Sequence, residues 1–128
     1  MNTEKPSVLI VEDDISSQQY YTIILEDRFD LTIVTTVVEA KKVLNEIEFY
    51  VAIVDISLPG DENGIDLIKY MREKFPKKPV AIALTAHAFP QNRIDVMEAG
   101  ATEFFTKPIM SGVLIEALEK HINSFTKD

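Results

Sequence analysis

The chain has 128 residues, of which 46% are hydrophobic and 27% are charged, a length and composition that fit one globular domain. Its 21 acidic and 13 basic residues give a formal net charge of −8, and such a surface repels phosphate backbones, which argues against nucleic-acid binding. The lack of cysteine excludes disulfides and thiolate metal sites and fits a reducing compartment. Since no apolar run has membrane-spanning length and no signal peptide is present, we expect a single cytoplasmic domain over residues 1–128, with a core at about 6–125 and no membrane partner.

Five short apolar runs, rich in β-branched residues, predict buried strands. They lie at 8–11, 31–34, 51–55, 80–84 and 103–106. Each is followed by apolar residues at helical spacing, and the clearest stripe contains Ala40, Val43, Leu44 and Ile47. Strand and helix patterns therefore alternate along the whole chain.

Short polar residues and helix breakers mark the ends of several predicted helices. Asp14 can cap the first helix, Pro76 ends the third, and Gly100 is the C-terminal signal of the fourth. Leu114 begins the last apolar stripe. The predicted apolar face of the first helix contains Ile15, Tyr20, Tyr21, Ile23 and Ile24. The predicted apolar face of the fourth helix contains Ile94, Met97 and Ala101.

The alternation predicts an α/β fold in which right-handed crossovers build a five-stranded parallel sheet with helices on both faces. The commonest doubly wound order for five strands is 2-1-3-4-5, and its switch point lies between the first and third strands. This order places Glu12 and Asp13, which follow the first strand, beside Asp55 at the end of the third. Helix capping alone does not explain three acids at one rim.

Three carboxylates in one crevice require a raised pKa or a bound cation, because two unit charges about 4 Å apart repel by roughly 4 kcal/mol at an effective dielectric near 20. Oxygen ligands without His or Cys select a hard cation, and Mg²⁺ is the common intracellular choice. Because Mg²⁺ usually takes only one or two carboxylates and keeps room for phosphate oxygens, the site is predicted to bind a phosphoryl group as well.

Two residues after later strands fit the same chemistry. Lys107 follows the fifth strand and Thr85 follows the fourth, so both are predicted to lie at the rim that carries Asp55. A lysine supplies a positive charge for phosphate oxygens, and a threonine hydroxyl can donate a further hydrogen bond. Nucleophile, metal site, cation and hydroxyl together are the parts needed for phosphoryl transfer to a carboxylate.

With these motifs in place, the chain resembles a response-regulator receiver domain, similar in layout to the single-domain chemotaxis regulators. The motifs are Val11-Glu-Asp-Asp14, Asp55 with Leu58-Pro59, Thr85-Ala86 and Lys107-Pro108, and their order and spacing extend over nearly the whole chain. The resemblance implies a flavodoxin-like fold and a single receiver domain in a two-component phosphorelay. It further implies a protein that is not an enzyme beyond catalysing its own phosphorylation and dephosphorylation.

The resemblance assigns roles to individual residues. It implies that Asp55 accepts a phosphoryl group from a phosphohistidine on a sensor histidine kinase or a histidine phosphotransfer protein, and that Lys107 pairs with that group. Mg²⁺ would be held by Asp13, Asp55 and the main-chain carbonyl of Ser57, with Glu12 contributing through water. A separate pair, Thr85 and Phe104, would form the switch, and a cis peptide is expected before Pro108.

Three departures from the family pattern stand out. Phe104 lacks the hydroxyl of a tyrosine, so its exposed and buried states are expected to differ by packing alone. The loop from Asp55 to Gly64 is one residue longer than usual, which bears on its contact with a partner kinase. At two positions that border the path of attacking water in this family, Ser57 and His87 are predicted to tune the lifetime of the phosphorylated aspartate.

Other functions remain open at this point. The output is expected to be a protein contact on the face of the fourth helix, fifth strand and fifth helix, because no effector domain follows Phe125. The alternative is a receiver module of a hybrid histidine kinase, although the ends of the chain favour a standalone protein. An aspartyl-phosphate phosphatase would carry an Asp-x-Asp pair after the first strand, and a flavin-binding protein would need a glycine-rich phosphate loop there; neither is present.

Overall fold

A computed structural model describes residues 4–87 and 89–126 and shows five strands that alternate with five helices. The strands are β1 (Ser7–Val11), β2 (Asp30–Val34), β3 (Val51–Asp55), β4 (Val80–Thr85) and β5 (Glu103–Thr106). The helices are α1 (Ile15–Leu25), α2 (Val37–Glu46), α3 (Gly64–Lys74), α4 (Pro90–Ala99) and α5 (Ser111–Thr126). None of the helices in these two ranges is both long and apolar enough to span a membrane.

The strands form one parallel sheet in the order β2-β1-β3-β4-β5, which confirms the predicted topology. Val11 at the end of β1 is in register with Val34 of β2 and with Val54 of β3. At the other side of β3, Asp55 pairs with Leu84. Because all strands are parallel and their ends are level, the residues that follow β1, β3, β4 and β5 meet at one rim of the sheet.

The core has two halves, one on each face of the sheet, because successive residues of a strand point to opposite sides. In β1, Leu9 and Val11 belong to the half covered by α2, α3 and α4, whereas Val8 and Ile10 belong to the half covered by α1 and α5. All four side chains are fully buried. The predicted arrangement of helices on both faces is therefore confirmed.

The predicted apolar face of α4 is wrong for two of its three residues, since only Ala101, just after the helix, is buried. Ile94 and Met97 are 49% and 37% exposed, while Val96 and Ala99 are buried in the core. The buried pair is small, so α4 packs closely on its neighbours and turns its larger side chains outward. The end of the helix is as predicted, since Gly100 is its C-cap with a φ of 117°.

The predicted apolar face of the first helix is confirmed for Tyr21 and Ile24 but wrong for its other residues. Ile15 and Ile23 are 68% and 74% exposed, whereas Tyr21 and Leu25 are buried and Ile24 packs partly against the core. Its start is as predicted, because the Ser17 amide donates a 2.8 Å hydrogen bond to Asp14 Oδ2. This bond also lowers the pKa of the exposed Asp14 carboxyl. Asp14 is thus a helix cap, as expected.

Replacing Gly64 with Ala should destabilise the fold strongly. A methyl group there would collide with the carbonyl oxygen of Asp55 and lie 2.7 Å from Ile56 Cα, and backbone atoms cannot move aside as side chains do. We expect a loss of about 2 kcal/mol or more in urea unfolding. Gly112→Ala is the matched control because nothing lies within 4 Å of its added methyl group; it should stabilise α5 by about 0.5–1 kcal/mol. Equal effects of the two substitutions would contradict this view of the β3–α3 junction.

Candidate functional site

Three carboxylates converge at the rim formed by the ends of β1 and β3. Glu12 and Asp13 follow β1, and Asp55 is the last residue of β3. Oxygen atoms from these three side chains all lie within 4.8 Å of one another. Glu12 is 1% exposed and Asp55 7%, whereas Asp13 is exposed. The structure therefore brings together the three acids that the sequence predicted to share one crevice.

The Lys107 ammonium group bridges two of these acids. Its Nζ lies 2.7 Å from Glu12 Oε1 and 3.1 Å from Asp55 Oδ2. The position of Lys107 is fixed by its backbone amide, which donates a 2.8 Å hydrogen bond to the carbonyl of Thr85. The buried negative charge at this rim is thus partly neutralised by a cation supplied by the chain itself.

The protonation behaviour of the bridge follows from its burial. Burial raises the pKa of Glu12, although hydrogen bonds from Lys107 and from the Asp14 amide oppose the rise. Burial alone would lower the pKa of Lys107, but its hydrogen bond to Glu12 and its attraction to Asp55 outweigh burial and raise that pKa. Lys107 therefore stays charged at neutral pH, while an ionised Glu12 costs free energy in the folded state.

The carboxylate of Asp55 is held at both oxygen atoms. Oδ1 accepts a 2.9 Å hydrogen bond from the Ser57 amide, and Oδ2 contacts Lys107. The start of α3 also lies against the backbone of this residue, since a methyl group at Gly64 would collide with the Asp55 carbonyl oxygen, and the Gly64 amide donates a 3.0 Å hydrogen bond to the carbonyl of Ile56. Asp55 is thus presented at the rim in a fixed orientation.

Thr85 and His87 are linked beside this carboxylate. Thr85 is 1% exposed, and its hydroxyl oxygen accepts a 3.1 Å hydrogen bond from the His87 amide. The side chains of His87 and Ser57 are both exposed at the rim. Ser57 bonds to Asp55 through its amide and His87 bonds to Thr85, and the role of both residues in the lifetime of the phosphorylated aspartate remains a prediction.

Phe104 lies on β5, one strand away from Thr85, and contacts a residue that the sequence did not suggest. The ring is half-buried against the core half that α2, α3 and α4 cover. On its outer side the guanidinium carbon of Arg93 lies 5.8 Å from the ring centroid. The expectation that packing alone separates two states of Phe104 is therefore incomplete, because a cation also contacts the ring.

Some residues that shape the site were not identified from sequence. Gln18 donates a 2.6 Å hydrogen bond from Nε2 to the carbonyl of Glu12. Asn63 caps α3 and forms a reciprocal capping box with Asp66, a pattern whose spacing was visible in the sequence. No residue pattern in the sequence indicated the close approach of Gly64 to Asp55. The peptide before Pro108 is cis, as the resemblance implied.

An apolar groove opens next to Lys107, between α1 and the segment that follows β5. Its volume is about 650 Å³. It is lined by Ser16, Ser17, Tyr20, Tyr21, Ala86, Lys107, Pro108, Ile109 and Met110. The hydroxyl of Tyr20 donates a 2.7 Å hydrogen bond to the carbonyl of Ile109 and so joins the two walls.

The donor set at the rim fits a hard divalent cation. All the side-chain ligands are carboxylate oxygens, and Asp13 leaves one side open to solvent. Lys107 already shows that the pair of buried acids attracts a positive charge. Mg²⁺ prefers oxygen ligands and keeps several waters, and the exposed side of this cluster allows both.

The fold and this acidic rim agree with the results of sequence and structure comparison. The family model of the response regulator receiver domain matches residues 8–119, so the chain belongs to the response-regulator receiver-domain family. It is similar to Response regulator protein PilR of Pseudomonas aeruginosa, with 33% identity over 113 residues. It is also similar to Transcriptional regulatory protein PhoP of Escherichia coli, with 34% identity over 102 residues.

These curated relatives are longer than the chain. The match to PilR covers 88% of this chain and 25% of the relative, and the match to PhoP covers 79% and 45%. The chain thus spans a quarter to just under half of their lengths.

Solved structures match the whole domain. A CheY-like receiver domain protein from Methanospirillum hungatei has a TM-score of 0.89 at 26% identity, over 97% of this chain and 98% of that one. A response regulator from Thermotoga maritima has a TM-score of 0.82 at 27% identity, over 93% and 98%.

Replacing Glu12 with Gln should stabilise the metal-free protein at neutral pH. The pKa of Glu12 is raised on folding, so its ionised form is penalised above that pKa, and the penalty disappears as pH falls toward 4.5. We expect a gain on the order of 1 kcal/mol at pH 7 in urea unfolding with a chelator present. The gain should shrink as the pH is lowered. A loss of stability at pH 7 would show that the bond to Lys107 outweighs burial.

Proposed function

We propose that this receiver domain is a phosphoacceptor switch in which Asp55 takes a phosphoryl group from a phosphohistidine. The observation that carries the proposal is the Asp55 carboxylate itself. It lies at the rim among two other acids and is oriented by the Ser57 amide and by Lys107. A fixed nucleophile beside a permanent cation is what phosphoryl transfer to a carboxylate requires.

In the proposed step, one carboxylate oxygen of Asp55 attacks phosphorus and forms a P–O bond. The P–N bond of the phosphohistidine breaks at the same centre, and its electron pair returns to the imidazole ring. The product is an acyl phosphate on Asp55 and a neutral or reprotonated donor histidine. Lys107 moves its contact from the carboxylate oxygen to a phosphoryl oxygen, so that its charge stays paired throughout.

The acids around Asp55 have a separate role in this proposal. Glu12, Asp13 and Asp55, with the main-chain carbonyl of Ser57, would hold Mg²⁺, which when bound neutralises charge on the phosphoryl oxygens. The side chains themselves orient the site and exclude competing anions. A phosphate without a metal would meet three carboxylates and be repelled.

Thr85 and Phe104 form the switch in this proposal. The Thr85 hydroxyl turns from the His87 amide toward the new phosphoryl group and donates a hydrogen bond to it. This motion vacates space beside Phe104, which lies on the neighbouring strand and is already half-buried. The ring then moves inward and changes the surface around β5.

The groove beside Lys107 supports a donor that presents its histidine on a helix. Its walls are mainly apolar, and Met110 at its edge is 74% exposed. An apolar helix face seated there would bring a neighbouring histidine to the rim that carries Asp55. A sensor histidine kinase or a histidine phosphotransfer protein would supply such a helix.

The proposed output surface is the face of α4, β5 and α5. Ile94, Met97 and Val113 are exposed large apolar residues on these helices, at 49%, 37% and 44%. A protein target would cover them, and the net charge of −8 supports protein rather than nucleic acid as the partner. Within this proposal the chain works in the cytoplasm and catalyses only its own phosphorylation and dephosphorylation.

Incubation with acetyl phosphate and Mg²⁺ should add one phosphoryl group, detected as a mass increase of the intact protein. Asp55→Asn should abolish the increase, and Lys107→Met should reduce the rate by about 100-fold or more because the cation at the phosphoryl group is lost. A chelator should block the reaction in the unsubstituted protein. Phosphorylation of the Asp55→Asn variant, or turnover of p-nitrophenyl phosphate at a comparable rate, would refute the proposal.

Replacing both Ser57 and His87 with Ala should shorten the lifetime of the phosphorylated aspartate. Both side chains are exposed beside the site, and smaller ones leave more room for attacking water. We expect dephosphorylation to be about three- to tenfold faster, which corresponds to about 1 kcal/mol of barrier. Gln19→Ala, on the exposed side of α1, is the control. An unchanged rate in the double variant would mean that these residues do not control access of water.

A further inference from the structure

The start of α4 is linked to His87 by two surface contacts among the described residues. Its N-cap residue, Phe89, makes no side-chain capping hydrogen bond and is 65% exposed. The Phe89 ring stacks on the His87 ring at a centroid distance of 6.3 Å and an angle of 9°. Asn92 donates a 3.2 Å hydrogen bond from Nδ2 to the carbonyl of His87. The start of α4 is therefore coupled to the position of His87.

His87 connects this turn to the buried rim. Its amide donates to the hydroxyl of Thr85, and its carbonyl accepts from Asn92. Under the proposed function, the Thr85 hydroxyl turns toward the phosphoryl group and gives up its hydrogen bond to the His87 amide. The same step would then free the segment that leads to the start of α4.

Arg93 is the next residue on this turn, and it reaches the other half of the switch. Its guanidinium carbon lies 5.8 Å from the centroid of the Phe104 ring, within the range of a cation–π interaction. Phe104 is half-buried beneath it. The contact between Arg93 and Phe104 is present while Thr85 bonds to His87 and Lys107 bridges the carboxylates. We call this arrangement of the site the resting conformation.

We propose that Arg93 is a positioning residue that holds Phe104 in the resting conformation by a cation–π contact across α4 and β5. The inference rests on the proposed function, because it concerns the regulation of the same site. Phe104 has no hydroxyl with which to hold its position, and the arginine supplies the missing polar restraint. When Thr85 releases His87, the first turn of α4 shifts, Arg93 leaves the ring and Phe104 moves inward.

Removing the restraint should raise the population of the active conformation before any phosphorylation. If the active conformation is phosphorylated faster, Arg93→Met should increase the maximal rate with phosphoramidate and Mg²⁺ by about threefold, the ratio expected for an exposed cation–π contact. Arg93→Lys keeps a cation over the ring and should return the rate toward that of the unsubstituted protein. Arg28→Met is the control, since Arg28 is also an exposed arginine and pairs with Glu119 on another face.

The position of the ring gives a readout that does not depend on phosphorylation. In the unphosphorylated Arg93→Met variant, the NMR resonances of the Phe104 ring should shift, whereas Arg93→Lys and Arg28→Met should leave them close to their original positions. Unchanged Phe104 resonances in Arg93→Met would overturn the inference even if Asp55 is phosphorylated normally. If the resonances shift as expected but Asp55 of the unsubstituted protein accepts no phosphoryl group from acetyl phosphate or phosphoramidate, the Arg93–Phe104 contact stands and the proposed function is refuted.

A double-mutant cycle separates this contact from a general effect on α4. Arg93→Met should accelerate phosphorylation in the original protein but have no effect when Phe104 is already replaced by Leu. An equal acceleration in both backgrounds would show that Arg93 does not act through the ring and would overturn the inference.

Discussion

The site depends on one unfavourable interaction that the chain only partly relieves, the burial of Glu12 and Asp55 beside each other. Lys107 neutralises one of the two charges, and burial still raises the pKa of Glu12. Because one negative charge of the Glu12–Asp55 pair is not neutralised, the pair attracts a further cation and, through that cation, an anionic group. In the proposed function, this residual negative charge is what would favour a divalent ion and, through it, a phosphoryl group at the rim.

The fold supplies the geometry for this interaction. Parallel pairing of β1 with β3 brings the two acids together, and the same pairing continued to β4 and β5 brings Thr85 and Lys107 to the rim. Main-chain contacts complete the arrangement, because the Ser57 amide orients Asp55 and Gly64 lets α3 begin directly against it. In the proposed function, a chemical event at this small, charged rim would move a few surface residues while the sheet stays in place.

Sequence reasoning predicted the sheet order and the members of the acidic cluster, because these follow from apolar runs and from the polar residues that end them. The predictions of buried helix faces failed for helices that carry apolar residues on all sides. Ile94 of α4 is exposed and Val96 is buried, and only the closeness of the neighbouring elements decides between them. Contacts across distant segments, such as Arg93 with Phe104, had no local signal. The limited space around Gly64 likewise depends on tertiary packing, which no residue pattern in the sequence indicates.

The shared metal site between β1 and β3 is tested most directly by locating a bound divalent ion. Mn²⁺ added in small amounts to ¹⁵N-labelled protein broadens the amide resonances nearest to it, whatever the phosphorylation state. We expect selective broadening after β1 and around Asp55 and Ser57, reversed by excess Mg²⁺ and weakened in Asp55→Asn. Broadening centred on another acidic surface, or no competition by Mg²⁺, would contradict the shared site between β1 and β3.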